Sequence, residues 1–395
     1  MDILTNKNVV IGVTGSIAAY KIATLCSILK KRGANTTVIM TKNALNFINP
    51  ITFETLTGNK CLVDTFDRNF QYDVEHVELA KAADVFLIAP ASANVIAKTA
   101  NGLADDMLTT TFLASTCEKI VSPAMNTRMY NNPITQDNMK KLEHYGIRVI
   151  TPATGYLACG DVGEGKMPEP EELLEHIIYS LTKKDLVGKK VLVTSGGTKE
   201  KLDPVRFITN NSSGKMGFAI ARAAYLRGAD VTLVYGNVSV PLPLGPKAIK
   251  IESAAEMAEA VKSVYSENDI IIKAAAVADY TPEVVSEEKV KKKDDDLSLP
   301  LKRTEDILGF LGKNRKEGQF ICGFSMETEN MLENSKAKLT KKNVDMIVAN
   351  NVKVSGAGFG TDTNVVTFIK KDSVEELPIM TKEEVANRIL DEACI

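Results

Sequence analysis

"NVVIGVTGSIAAYKIATLCSILKKRGANTTVIMT", residues 8 to 41, reads as strand, turn, helix and strand. Val9 to Val13 is an apolar run that ends in a glycine-bearing turn, and Ser16 is a good N-cap ahead of Ile17. Ile22, Leu25, Ile28 and Leu29 recur at helical spacing up to Gly33, after which a second strand begins. This is a βαβ unit. Further apolar runs at Val85 to Ala89, Ile120 to Ser122 and Arg148 to Ile150 alternate with helical stretches. They extend the unit into an open parallel sheet with helices on both faces.

The chain then starts again. "KKVLVTSGGTKEKLDPVRFITNNSSGKMGFAIARAAYLRGADVTLVYG", residues 189 to 236, holds a strand at Val191 to Thr194 and a helix through Ala219 to Leu226. Arg227, Gly228 and Ala229 repeat the earlier Arg32, Gly33 and Ala34 before another strand. The expected fold class is therefore α/β with two domains: a flavodoxin-like doubly wound parallel sheet over residues 1–186 and a Rossmann-like α/β domain over 187–395. The boundary is placed in "SLTKKDLVGKK", where the helix from about Glu171 runs out into charge and Gly188.

The 395 residues exceed what one hydrophobic core usually supports. Lys plus Arg number 48 against 50 Asp plus Glu, and this balance gives no general footprint for nucleic acid. Six scattered cysteines form no CxxC pair, as expected in a reducing cytosol. No leader pattern opens the chain, and no apolar stretch reaches the roughly eighteen residues of a membrane span. A soluble cytoplasmic protein is expected.

Neither glycine turn reads G-x-G-x-x-G, and "RGANTTVIMTKNA" lacks the acidic ribose reader of a dinucleotide fold. A nicotinamide-dependent oxidoreductase with tandem α/β domains is the alternative this disfavours. "YLACGDVGEGKM", residues 156 to 167, has the spacing of a phosphate loop, but Met167 stands where a magnesium-binding Ser or Thr is needed. A metal knuckle fails too, since no other Cys or His lies within ten residues of Cys159. A glycine flap carrying a thiol is what remains.

GSIAAYK, PASANVIAK, GLADD, PAMNTRMY, ACGDVGEGKM, SGGTKEKLDPVRFITNNSSGKMG, AAAVADY and KVKKK occur in that order. Together they resemble the bifunctional coenzyme A biosynthesis family, an FMN-dependent phosphopantothenoylcysteine decarboxylase fused to a phosphopantothenate–cysteine ligase. The resemblance spans almost the whole chain. It implies that Gly15, Ser16, Thr41, Ser92, Asn94 and Ala124 contact FMN; taken alone, such small polar residues are more often caps and turns. It implies an active-site role for His76, a carboxylate and amide anchor in Asn126, and a proton donor to the enethiolate in Cys159. Tyr130 stands where tryptophan is more usual and Lys166 where arginine is common, a change that loses the planar fork.

For the second half the resemblance implies acyl-nucleotide chemistry, with CTP as co-substrate and Mg2+. Asn210 matches the residue that holds the acyl nucleotide, and Lys289 the lysine needed to form it. Ala274, Ala275, Ala276, Asp279, Phe324, Lys338 and Lys342 fall where the family binds base and phosphates. The magnesium ligands stay unassigned. By composition alone "SEEKVKKKDDD" is a solvated loop, and Lys338 and Lys342 are one wet helix face. The implied partners are 4'-phosphopantothenate, cysteine and CTP, with no nucleic acid or membrane, in a homo-oligomer.

Overall fold

The structure is a computed structural model that describes residues 2–66, 75–157, 160–291, 298–327, 330–351 and 361–394. The chain divides into two compact units, Met1–Thr182 and Lys183–Ile395. Leu186, placed in the first domain by the sequence boundary, is buried in the second unit's core.

In the first unit β1 (Asn8–Val13), β2 (Asn35–Met40), β3 (Val85–Ala91), β4 (Glu118–Pro123) and β5 (Arg148–Val149) form one parallel sheet in the order β2-β1-β3-β4-β5. This is the flavodoxin-type order, which reverses direction between β1 and β3 and opens a crevice beyond their carboxyl ends. The helices are α1 (Tyr20–Lys31), α2 (Pro50–Thr57), α3 (Glu75–Ala82), α4 (Ala93–Ala100), α5 (Met107–Ala114), α6 (Thr127–Tyr130), α7 (Pro133–His144) and α8 (Pro170–Leu181). Val95, Leu108 and Leu142 of α4, α5 and α7 pack on the sheet face carrying Val10, Ile39, Phe86, Ile88 and Val121. α8 lies against β3 and β4 and meets α1. The strands read as near-continuous apolar runs because both faces are buried.

The expected glycine flap has more structure than its composition suggests. β6 (Ala153–Tyr156) and β7 (Val162–Lys166) pair as an antiparallel hairpin, closed by Leu157 N–H to Asp161 O at 2.8 Å. Cys159, between the two strands in sequence, lies outside the described residues.

The second unit holds β8 (Lys190–Ser195), β9 (Lys199–Lys201), β10 (Phe207–Thr209), β11 (Asp230–Tyr235), β12 (Lys247–Lys250), β13 (Ile270–Lys273), β14 (Tyr280–Pro282), β15 (Leu301–Arg303), β16 (Phe320–Glu327), β17 (Met346–Asn351), β18 (Thr363–Asn364), β19 (Val366–Lys370), β20 (Val374–Glu376) and β21 (Met380–Thr381). Its helices are α9 (Lys215–Leu226), α10 (Ala254–Val264), α11 (Ile307–Lys313), α12 (Met331–Lys342) and α13 (Lys382–Glu392). The main sheet runs β12-β11-β8-β13-β16-β17-β19-β20, parallel through β17 and antiparallel beyond it. The first six strands follow the Rossmann order, with the switch point between β8 and β13. Alternation along the strands splits the core. Val191, Val193, Ile270 and Ile272 pack with Phe218 of α9 and Ile389 of α13, while Leu192 and Ile271 pack with Val261, Leu308 and Leu339 of α10, α11 and α12.

Candidate functional site

In the first unit the carboxyl ends of β2, β1, β3 and β4 lie side by side, and the turns leaving them carry Thr41, Gly15 and Ser16, Ser92, and Ala124. Ser16 caps a single 3-10 turn, its Oγ accepting from Ala18 N–H at 3.3 Å, and Ser92 caps α4. Asn94 is exposed in the first turn of α4. Thr14 Oγ1 donates to Pro90 O at 2.6 Å and accepts from Ser92 N–H at 2.9 Å, which locks the β1 and β3 turns together across the switch point.

A cavity of about 340 Å³ opens here, lined among others by Ser16, Lys21, Ala124, Asn126, Tyr156 and Lys166. Of the residues expected at a flavin, Ser16 and Ala124 line it, together with Asn126, the expected carboxylate and amide anchor, while Gly15, Thr41, Ser92 and Asn94 stand in the same row of turns outside its lining. His76 sits half-buried on α3 and is not brought into that lining. Asn126 caps α6 through Arg128 N–H at 2.8 Å and donates to Asp161 Oδ2 at 3.2 Å, so it ties the PAMN turn to the hairpin that carries Cys159. Gly165 has φ +124, and a Cβ there would come within 2.3 Å of Met125 O. Only glycine lets β7 pass so close to that turn.

Lys21, which sequence reasoning left without a role although GSIAAYK contains it, is buried and donates to Met167 O at 3.1 Å and to Glu169 Oε1 at 2.7 Å. The Lys21 hydrogen bond holds the Glu169 carboxyl below its usual range, with Lys166 adding to the effect. The edge also has an unmet need. Among the described residues Thr41 Oγ1 is buried without a hydrogen-bond partner, a cost a ligand oxygen at this edge would remove. A phosphate-bearing cofactor fits these caps and this hydroxyl.

In the second unit the β8 turn passes through Gly196 and Gly197, and the latter exchanges hydrogen bonds with Asn237 at 3.0 and 2.7 Å. Ala276 N–H donates to Gly196 O at 2.9 Å, and Asn210 Nδ2 donates to Ala276 O at 2.8 Å. Asn210 is therefore held at the switch point against the Ala274–Ala276 run. A cavity of about 150 Å³ is lined by Ser212, Ser213, Gly214, the three alanines and Phe324. It sits before the N-terminus of α9, an end that suits an anion. A Cβ at Gly217 would come within 2.5 Å of Ser195, so a side chain there would push α9 off β8.

Lys289 is exposed, and the segment around it is fixed by two residues that sequence reasoning passed over. Asp203 is buried, accepts the Arg206 fork at 2.9 and 2.6 Å, and accepts Val290 N–H at 3.2 Å. Arg206 in turn donates to Val290 O at 2.9 Å. The Arg206 guanidinium keeps the Asp203 carboxyl far below the usual carboxylate range. Both residues stand in the quoted "KLDPVRF", where an acid three positions before an arginine was the available signal.

Asp279 is exposed beyond β13. Lys338 and Lys342 are outside the lining of the small cavity. They lie on α12, where Lys338 Nζ donates to Phe324 O at 2.9 Å and Lys342 pairs with Asp306.

A flavodoxin-type sheet with a phosphate-ready edge, joined to a Rossmann-type sheet with a second anion site, defines the class as a two-domain flavoprotein. The flavoprotein family model matches residues 2–182, and the model for the C-terminal domain of DNA/pantothenate metabolism flavoproteins matches residues 186–394. The chain belongs to the family of bifunctional coenzyme A biosynthesis proteins. It is 49% identical over 394 residues to the coenzyme A biosynthesis bifunctional protein CoaBC of Bacillus subtilis (strain 168), covering 98% of this chain and 97% of that one. It is 43% identical over 392 residues to the protein of the same name from Vibrio cholerae serotype O1, covering 99% and 98%. Among solved structures, the C-terminal domain of a CoaBC matches with 44% identity and a TM-score of 0.47, covering 54% of this chain and 97% of that one. The first unit is accordingly a flavoprotein domain. Among the described residues no helix is long and apolar enough to cross a membrane.

Proposed function

We propose that the second unit joins cysteine to 4'-phosphopantothenate at the expense of CTP, with Mg2+, and that the first decarboxylates the product to 4'-phosphopantetheine. The single observation that carries this reading is the near-full-length kinship, which places a flavoprotein domain and a ligase-type domain on one chain. The enzyme acts in the cytoplasm as a homo-oligomer.

In the ligase step the substrate carboxylate attacks the α-phosphate of CTP and pyrophosphate leaves. The cysteine amine then displaces CMP. Negative charge accumulates in the first transition state, and Lys289, Lys338 and Lys342 are the cations that answer it. Asn210, pinned by Ala276 O, holds the acyl nucleotide for the second displacement. Ala274, Ala275, Ala276, Asp279 and Phe324 frame the nucleotide. The nucleotide would enter as its Mg2+ complex, the cation supplying charge neutralisation at the phosphates.

In the decarboxylation step FMN supplies, when bound, the redox chemistry that creates an electron sink beside the departing carboxylate. Gly15, Ser16, Thr41, Ser92, Asn94 and Ala124 hold it. Asn126 orients the substrate, His76 assists proton movement, and Cys159 delivers the final proton from a hairpin that excludes water. The test of the nucleotide is competition. With 4'-phosphopantothenate, cysteine, Mg2+ and equal CTP and ATP, CMP should form well ahead of AMP. AMP in excess would overturn the choice of CTP, and neither product would overturn the ligase reading.

A further inference from the structure

The run "IIIKAAAVA", residues 270 to 278, places a lysine where a central strand of a doubly wound sheet ordinarily stays apolar. Ile270 and Ile272 belong to the core under α9 and α13, and Ile271 and Ala275 to the core under α10, α11 and α12. Lys273, two residues after Ile271, shares the second face. β13 lies between β8 and β16, and Lys273 is in register with Thr194 on one side and Gly323 on the other. A side chain at Gly323 would meet Leu308 at 2.7 Å and Ile347 at 3.1 Å, so that position is bare beside the lysine.

The register also gathers charge. Phe324, next after Gly323, accepts Lys338 Nζ, and one helical turn on Lys342 pairs with Asp306 at the start of α11. The groups that face Lys273 are thus Lys338 and Lys342 from α12, Asp279 from the loop beyond β13, and Asp306 ahead of α11. Three lysines meet two carboxylates, one of which is already engaged by Lys342. Among the described residues Lys273 forms no ion pair. Burial, together with the Lys338 charge, pushes Lys273 down to about 8, against the pull of Asp279 and Asp306. Surplus cation at the carboxyl edge, beside a switch point, is an arrangement that an arriving polyanion satisfies.

We infer that Lys273 is a further phosphate-binding lysine of the second unit, beside Lys289, Lys338 and Lys342, and that it takes up a proton when the polyphosphate of the nucleotide arrives. The inference rests on the nucleotide reading of this edge. The triphosphate is already fully ionised near pH 8, so the proton must come to the protein.

Calorimetric titration of the full chain with Mg-CTP, in buffers of different ionisation enthalpy, counts that proton. Uptake of a fraction of a proton is expected at pH 8 to 8.5, fading below pH 7 where Lys273 is already charged. Above pH 8 the affinity should fall by up to about tenfold per pH unit, the limit for one linked proton. Lys273→Met should weaken binding about tenfold at pH 7.5, a loss equal to ~1.4 kcal/mol, and abolish the uptake. Lys273→Arg should restore the affinity and still show no uptake, because arginine stays charged. Binding by the wild type without uptake, or uptake that survives in either variant, overturns the role of Lys273 and leaves the nucleotide reading standing. No binding of Mg-CTP by the wild type overturns both.

Discussion

The carboxyl edges of the two sheets do the same geometric job with different chemistry. At the first edge the turns carry hydroxyls, amides and small residues, with Lys21 already spent on Glu169 and Met167 O. At the second, lysines gather at the strand ends and on the facing helix, and Lys273 has no ion pair among the described residues. A resident cofactor can be held by fixed hydrogen bonds that never have to let go. A nucleotide that must bind, lose pyrophosphate and leave needs charge that answers charge and then recovers. The two pH windows follow the same division. Burial pushes His176 down to about 4 and so gives the first unit an acidic pH response, whereas Lys273 gives the second unit an alkaline one.

The sharpest way to separate the edges is a pair of substitutions. Cys159→Ser should lower decarboxylation by about 10²–10⁴-fold, leaving ligation intact, so phosphopantothenoylcysteine accumulates. Lys289→Gln should lower ligation by roughly 10²–10³-fold, while added phosphopantothenoylcysteine is still decarboxylated. Mass spectrometry of the products reads both, and a variant that lost both activities would break the division.

A backbone test comes next. Gly165→Ala sets a Cβ against Met125 O, and Gly217→Ala sets one against Ser195. Each should destabilise its own unit by ~1–3 kcal/mol, the first with loss of bound flavin and the second with loss of CTP affinity. Flavin absorbance and nucleotide titration on both variants check that the losses do not cross over.

The third prediction concerns acid. Burial, with Arg148 adding to it, pushes His176 down to about 4, and its Nδ1 has no hydrogen-bond partner among the described residues. The unfolded chain therefore binds more protons between pH 6.5 and 4, and stability falls as pH falls through that window. The loss should reach up to about 3 kcal/mol. Denaturation midpoints of the first unit should show this slope, and His176→Leu should remove it. The smallest effect is at the orphan hydroxyl. Thr41→Val should weaken FMN binding about five- to tenfold, one hydrogen bond's worth, without destabilising the flavin-free chain.

Local pattern carried most of the architecture. The apolar run, cap and "RGA" of each half name a βαβ unit because strand, helix and stop signal are neighbours in sequence. Gly33 and Gly228 do sit at φ +82 and +92 after their helices. The hairpin around Cys159 was read as a flap because its strands pair Gly155 with Gly163 and leave Tyr156 and Val162 more than 70% exposed, so neither face shows apolar alternation. At the sites, the motif residues are local and were legible. Their supports were not, since Asp203 acting on Val290 and Asp306 on Lys342 are contacts across long sequence separations. Lys273 did leave a trace, a lone charge in an apolar run, whose meaning depends on which face of β13 it takes.

The central claim is that one chain runs both reactions in series at two separate edges. The direct measurement is mass spectrometry of the full chain with 4'-phosphopantothenate, cysteine, Mg2+ and CTP. The account predicts 4'-phosphopantetheine together with CMP and pyrophosphate. CMP with phosphopantothenoylcysteine as the final product, in protein that carries its full complement of flavin, would contradict it.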